Sequence, residues 1–400
     1  MFLWGIIASI APLSQSWPFA ADVTGYLRIL LVVVGPISAV IGNVSMGILA
    51  DYIGRKRVFL ITMVLYFVGI MVISFAFSAL SLMAGIALSE FGIAGEEIPT
   101  IALLAEDTET KKRGSVITNG MNFSNIGSAF IAGVFILIAL GNLGLVIQRL
   151  AIFSSAIVLM LIIVYSRLRM PESYRWLDVN GKKQEAKEQA SKLDIDPTDS
   201  GIKPSRHVSP VISYSVLAFM ALSQYLTFGL MAYIVPYYEF QGVVVGYLIF
   251  FGLLGSSFAG PIAGRLISRG RKNYSLFAFL GGFVSVVVIL LAVNYLQNLY
   301  IFIPLLVINM AFSEFAWASR TTLEPELFTT NNRGKGIGFV RMVPMIAYPV
   351  SIYLFANFSL PQQILSNVIL WGLGVVGAVI WFLAGVETGN VDLDYQTREA

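Results

Sequence analysis

The sequence predicts an all-α membrane protein of twelve transmembrane helices in two pseudo-symmetric six-helix bundles. Three observations carry that reading: an apolar composition, a regular recurrence of membrane-length runs, and a polar stretch at the midpoint with repeated motifs on either side. Hydrophobic residues make up 57% of the 400 positions and charged residues only 12%, against about 25% charged in a soluble domain. So much apolar surface must face lipid, since in water it would drive association.

The apolar runs lie at 1–18, 25–50, 58–78, 80–104, 116–139 and 144–167, then at 210–236, 243–267, 274–295, 298–319, 336–357 and 364–386. Each is close to the roughly 20 residues a helix needs to cross a hydrocarbon core about 30 Å thick. The run at Met1 has no basic leader and no evident small-residue cleavage site, so it is read as the first helix rather than a signal peptide. These runs divide the chain into an amino-terminal bundle (1–167), a linker (168–209), a carboxy-terminal bundle (210–388) and a tail (389–400). Within the linker, Gly181 to Leu193 reads as a short amphipathic helix, ended by Asp196-Pro197.

Lysine and arginine set the orientation, because they remain on the cytoplasmic side. With the amino terminus inside, 24 of the 26 fall toward the inner side, leaving Arg28 and Arg149 outside. A multi-pass protein of the cell membrane with both termini cytoplasmic is the expectation. The same basic residues flank spans and form no nucleic-acid stripe.

Absences narrow the chemistry. The chain has no cysteine, and its one histidine, His207, lies in the linker. Thiol nucleophiles, zinc centres and iron–sulfur clusters are therefore excluded, and no metal or other cofactor is expected. A glycine-rich phosphate loop is absent, which argues against ATP-driven pumping. Intramembrane hydrolysis lacks a nucleophile–base pair, and Glu96 and Glu97, adjacent on one helix, diverge by about 100° and make a poor carboxylate dyad. A transporter remains, with a non-transporting membrane sensor as the reading from another class.

The halves repeat each other. Glu106 precedes Arg113-Gly114 by seven residues after the fourth span, and Glu326 precedes Arg333-Gly334 by seven after the tenth. Gly47-Ile-Leu-Ala-Asp51-Tyr-Ile-Gly54-Arg55-Lys56 follows the second span, and Gly264-Arg-Leu-Ile-Ser268-Arg-Gly270-Arg271-Lys272 follows the eighth. Duplicated six-helix units are a common way to build a central transport site.

These motifs resemble the major facilitator superfamily over essentially the whole chain. Gly47 to Lys56 is similar to its G-x-L-A-D-x-x-G-R-K loop. The two E-x6-R-G segments and Pro171-Glu-Ser-Tyr-Arg-Trp-Leu177 resemble signatures of its sugar-porter branch. The seventh span departs from that branch: Ser223-Gln224-Tyr225 through Tyr233 to Pro236-Tyr237-Tyr238 is more similar to prokaryotic metabolite and organic-acid symporters. Nor does the chain carry the acid usual in the first span or the arginine usual in the fourth. The fifth span, with Gly120, Gly127 and Gly133, lacks the glycine-proline signature of antiporters, which favours uptake. The resemblance implies alternating access by a monomer that carries a small polar organic solute together with protons. A sugar or related metabolite is the first expectation, and an organic or aromatic acid the alternative.

Candidate residues follow. A gate is expected from Gly47, Asp51, Gly54, Arg55, Lys56, Glu106, Arg113, Glu326 and Arg333, with Glu106 paired to Arg55 and Arg113 and the second half repeating the network. Lys111 and Lys112 are expected to be solvated. Acids deep in a span must face a polar interior or bind protons. Glu96 lies ten residues before Glu106, about 15 Å along a helix, and Glu314 twelve before Glu326, about 18 Å. Glu96, Glu97 and Glu314 are thus candidates to bind the coupling proton, with structural ion pairing as the other reading. The resemblance makes the first, fourth, seventh and tenth spans line the solute path. Gln224, Tyr225, Tyr233, Asn309 and Trp317, with Asn122 and Asn125 of the fifth span, are the candidate solute contacts. Pro236, Pro344 and Pro349 mark expected bends.

Overall fold

The computed structural model describes residues 1–14, 17–21, 23–141, 143–193, 208–389 and 391–393. His207 and Asp196-Pro197 lie outside them. The amino-terminal half contains α1 (Phe2–Ser14), the single turn α2 (Pro18–Ala21), α3 (Gly25–Ile53), α4 (Arg55–Ser74), α5 (Ala79–Glu106), α6 (Arg113–Leu140) and α7 (Leu145–Arg169). Short helices α8 (Tyr174–Val179) and α9 (Lys183–Lys192) follow. The carboxy-terminal half contains α10 (Pro210–Gly229), a π-helical turn (Leu230–Ile234), α11 (Val235–Glu239), α12 (Val243–Ile267), α13 (Arg271–Leu291), α14 (Leu299–Glu326), α15 (Arg333–Phe355) and α16 (Leu360–Ala384). Among the described residues, eleven helices are long and apolar enough to cross a membrane. α1, at 13 residues, spans only about 20 Å and packs on α6 as the remaining helix of its half. α9 coincides with the expected amphipathic helix. Its buried side chains, Ala186 and Ala190, are four residues apart on one face.

Local chemistry fixes the helix starts. α5 opens with a capping box in which the Ser78 hydroxyl accepts from Ser81 N at 3.2 Å. α14 opens on Asn298, whose side chain accepts from Tyr300 N at 3.0 Å. α4 and α13 both begin directly after a glycine with positive φ, Gly54 at 97° and Gly270 at 156°. Only glycine tolerates such backbone cheaply, which explains why both copies of the loop keep it before Arg-Lys.

The seventh span is broken by its own proline. Pro236 has no N–H, and its ring crowds the carbonyl four residues back, at Ala232. The chain widens there into the π turn, a form that is rare inside helices and recurs at functional sites.

Each half has its own apolar core, around Ile6, Ile70 and Leu82 in the first and Phe302, Leu306 and Trp371 in the second. The second core also takes in Ile98, Ile101 and Met121 from the first half, so packing continues across the interface. The halves meet along two seams, α3 on α15 and α6 on α12. At the first seam a Cβ on Gly47 would stand 2.8 Å from the Gly334 carbonyl oxygen, so the helices approach as closely as they do only because that residue is glycine. Leu137, Leu161, Phe258 and Leu291 stand exposed on the outside, as a lipid-facing wall requires.

Candidate functional site

One end of the bundle gathers the basic motifs, and two buried carboxylates organise it. Glu106, at the last turn of α5, is fully buried. Its Oε1 accepts from Arg55 Nη2 at 2.7 Å and from Arg333 Nη1 at 2.6 Å. Arg55 also donates to the Ala50 carbonyl at 2.8 Å and, across the halves, to the Thr330 carbonyl at 3.3 Å. Glu326 ends α14 in the same way. Its Oε1 accepts from Arg271 Nη2 at 2.9 Å and lies 3.5 Å from Arg113 Nη1, while Thr388 Oγ1 donates to its Oε2 at 2.6 Å.

The pairing crosses over. The motif spacing pointed to Glu106 with Arg55 and Arg113, but each carboxylate takes one arginine from its own half and one from the partner motif in the other half. The physical reason is direction: Arg113 and Arg333 each open a new helix beyond a sharp turn, and that turn carries them toward the other bundle. Arg271, the counterpart of Arg55, was legible in the second copy of the loop but was not singled out.

Asp51 spans the same seam. Its two oxygens accept from the backbone N–H groups of Gly334 at 3.2 Å and Lys335 at 3.1 Å, capping the start of α15, where a carboxylate is favoured by unsatisfied donors and the helix dipole. Arg55 Nη2 lies 3.5 Å from it. Lys56 donates its backbone N–H to Glu172 at 3.1 Å and its ammonium to the Leu168 carbonyl at 3.3 Å. Lys111 and Lys112 are exposed.

A third repeated pair was missed. Glu172 accepts from Arg55 N at 2.8 Å and Lys56 N. Glu387 accepts from Arg271 N at 2.8 Å and Lys272 N at 3.2 Å. Each thus caps the helix that follows its positive-φ glycine. Glu172-Ser173 and Glu387-Thr388 are two copies of one acid–hydroxyl signature after the sixth and twelfth spans, too short to stand out by itself. Beyond α16, the Val391 carbonyl accepts from both Arg113 Nη atoms, and Asp392 Oδ1 accepts from Arg175 at 2.8 Å. Desolvation, with Glu106 next to it, pushes the Asp107 carboxyl up to about 8, and burial raises Glu172 against the hydrogen bonds that favour its charge.

Deeper in the bundle, the candidate acids separate into two kinds. Glu96 pairs with Arg167 of α7. Glu97 reaches across the halves to Arg341 Nη1 of α15 at 2.5 Å. Arg341 in turn holds Glu324 Oε2 at 2.7 Å, and Glu324 Oε1 accepts from Arg320 at 2.8 Å. Glu314 has no cation. It accepts from Asn125 Nδ2 of α6 at 2.6 Å, and Asn125 also meets Asn122, whose Nδ2 donates to the Ser257 carbonyl at 2.8 Å. The two asparagines therefore join α6 to α12 and α14 along the second seam.

Of the other candidates, Gln224 is buried with its Oε1 unpartnered. Tyr225 stands edge-on to Tyr348 at 5.7 Å, within electrostatic reach of Glu97, Arg320 and Arg341. Tyr233, on the π turn, faces Ser9 of α1 and Ser128 of α6. Asn309 donates to Ser285 of α13 at 2.8 Å, within its own half. Trp317 is buried in the carboxy-terminal core. Among the described residues no group of three or more His, Cys, Asp or Glu side chains is placed to hold a metal.

A duplicated helical unit with cross-paired charges at one end finds its match in a family model described as Major Facilitator Superfamily, which covers residues 1–352. The chain belongs to the major facilitator superfamily. As a superfamily member it is a multi-pass membrane transport protein and not an enzyme. It is 26% identical over 360 residues to the minor myo-inositol transporter of Bacillus subtilis, covering 86% of this chain and 76% of that one. It is 22% identical over 398 residues to the glucose transporter of Staphylococcus epidermidis, covering 91% and 87%. Its fold matches the proton:xylose symporter XylE bound to 6-bromo-6-deoxy-D-glucose with a TM-score of 0.80 at 16% identity, over 99% of this chain and 96% of that one.

Proposed function

We propose that this superfamily member is a proton-coupled symporter that takes up a sugar or polyol by alternating access. It acts as a monomer in the cell membrane, with the basic end and both termini in the cytoplasm. The observation that carries the reading is the crossing of the charge pairs. Glu106 with Arg333, Glu326 with Arg113 and Asp51 with the start of α15 all tie one half to the other at the basic end. Such ties form a gate: made, they shut the cytoplasmic side; broken, they let the halves rock apart. Gly47 permits the close seam, Gly54 turns the chain so that Arg55 and Lys56 enter α4, and Arg55 holds Glu106 for its partner. Relatives named for myo-inositol and glucose support the polyhydroxylated solute.

Coupling falls to a carboxyl that can change protonation. Glu96 and Glu97 are tied to guanidinium partners and Glu314 is not, so Glu314 fits a site on the proton path better than they do. It sits where α14 meets α6, and its charge state would act on that seam. The test is uptake of labelled myo-inositol, D-glucose and D-xylose by proteoliposomes under an imposed pH gradient. Accumulation of one of them that collapses with the gradient is expected. Competition by organic acids alone would move the solute class, and binding without flux would make the protein a sensor.

A further inference from the structure

A carboxyl outside the three candidate acids stands where a transported proton would need one. Glu90 lies on α5 seven residues before Glu97, so it shares the face from which Glu97 reaches α15, about 10 Å farther from the basic end. It is eleven residues from the start of α5 and sixteen from its end, about 17 and 24 Å along the axis, in the middle of the membrane. Every other described acid within the spans holds a guanidinium, an amide or a helix N-terminus, as set out above for the first half and the core. Glu239 completes that set by accepting from Gln363 at 2.9 Å. Glu90 alone makes neither hydrogen bond nor ion pair, and it is half-buried. Room for it comes from Gly35 of α3, where a Cβ would stand 3.3 Å from the Glu90 Cγ.

Among the described residues no cation pairs with it, and the amino terminus of Met1 faces Glu96 and Arg167. Arg320 and Arg341 are balanced by Glu97 and Glu324, and Arg167 is committed to Glu96. α1 carries no titratable side chain. Tyr66 of α4 faces Glu96. The titratable groups that face Glu90 are Tyr225 and Tyr233, across the interface on the broken seventh span. An unpaired carboxylate at this depth is costly, and taking up one proton removes that cost.

We propose that Glu90 is a proton-binding site of the transport path, loaded while the basic end is closed and emptied when it opens. The step is the simplest possible: the carboxylate takes a proton from water and returns it to water on the other side. This inference rests on the transport reading, and the experiment separates the two.

Glu90→Gln fixes the protonated charge at nearly constant volume, and Glu90→Asp keeps the acid but withdraws it by one methylene. Infrared pH titration in lipid, with no solute present, is expected to show a carboxylic C=O band in the wild type that Glu90→Gln lacks and Glu90→Asp shifts in midpoint. In proteoliposomes with myo-inositol, Glu90→Gln should keep counterflow exchange. It should lose the accumulation, about tenfold per pH unit at one proton per solute, that the wild type shows. Full accumulation by Glu90→Gln, or an unchanged infrared band, overturns the assignment. So does wild-type uptake driven by a sodium gradient and lost in Glu90→Gln. Absence of wild-type counterflow would strike the transport reading with this probe, and the infrared arm would still decide the role of Glu90.

Discussion

Replacing Glu106 by glutamine tests the gate where it is most concentrated. The Glu106 Oε1 holds Arg55 at 2.7 Å and Arg333 at 2.6 Å, but the two contacts differ in kind. The bond to Arg55 lies within one half, and on the proposed gate it persists in either state. On the same reading the bond to Arg333 exists only while the basic end is shut. Removing one partner of a buried, hydrogen-bonded charge pair costs about 2–5 kcal/mol. Glutamine keeps one oxygen that can still accept, so the lower half of that range applies to the cross-half contact. At 1.4 kcal/mol per tenfold, a loss of about 2–3 kcal/mol moves the closed-to-open ratio about 30- to 150-fold toward opening. The chain has no native cysteine, so spin labels can be placed without background at Lys111→Cys and Asn331→Cys, on exposed turns of opposite halves. Pulsed electron paramagnetic resonance on this pair should show the short-distance population of the parent giving way to a longer one. An unchanged distance distribution in well-folded Glu106→Gln would refute the assignment of Glu106 as a state-dependent tie.

Asp51→Asn sets an NH2 group against one of the two backbone donors at the start of α15; a loss of about 1.5–3 kcal/mol should cut solute flux with the folded yield retained, and normal flux would remove Asp51 from the gate. Gly47→Ala puts a Cβ 2.8 Å from the Gly334 oxygen, so the same label pair should lengthen as in Glu106→Gln, and it should do so independently of salt because no charge changes. Asp107 gives a pH dependence of known sign: its folded pKa of about 8 lies above the ordinary 3.8, so the folded state holds this proton more tightly, and stability falls as pH rises from about 4 to about 8, by up to about 1.4 kcal/mol per unit. Melting temperatures across that window should therefore drop less in Asp107→Asn than in the parent, and parallel curves would refute it. Pro236→Ala restores the missing N–H and removes the clash at Ala232, so the π turn should revert toward α-helix and turn Tyr233 by about 100°; unaltered solute affinity in a folded variant would separate that turn from binding.

Composition and spacing were enough for the spans, because lipid imposes one length and one polarity on every crossing helix. They marked Glu106, Arg113, Glu326 and Arg333 too, since a glutamate seven residues before Arg-Gly is conspicuous when it occurs twice, but not Arg271, Glu172 or Glu387. What one dimension could not carry was which half each arginine enters. Arg113 and Arg333 sit after turns whose direction depends on how α6 and α15 pack, and that packing is decided by contacts such as Gly47 on Gly334, hundreds of residues apart. The ion pairs Glu96–Arg167 and Glu97–Arg341 were hidden for the same reason: the acids were visible at depth, but their partners stand on other helices. Glu90 was visible in the same row and gained meaning only once its neighbours proved to be partnered and it did not.

The crossing also explains why duplication suits a gate. Two like halves related by a pseudo-twofold axis meet through equivalent patches, so any contact from a motif in the first half to its copy in the second is made twice. Had Glu106 taken Arg113 and Glu326 taken Arg333, both clusters would have been internal to a bundle and indifferent to how the bundles sit. By taking the arginine of the other copy, each carboxylate places one of its two bonds across the halves, while Arg55 and Arg271 hold it from within its own half. On the proposed gate the bonds within each half stay in place, and only the crossing bonds separate when the halves rock apart.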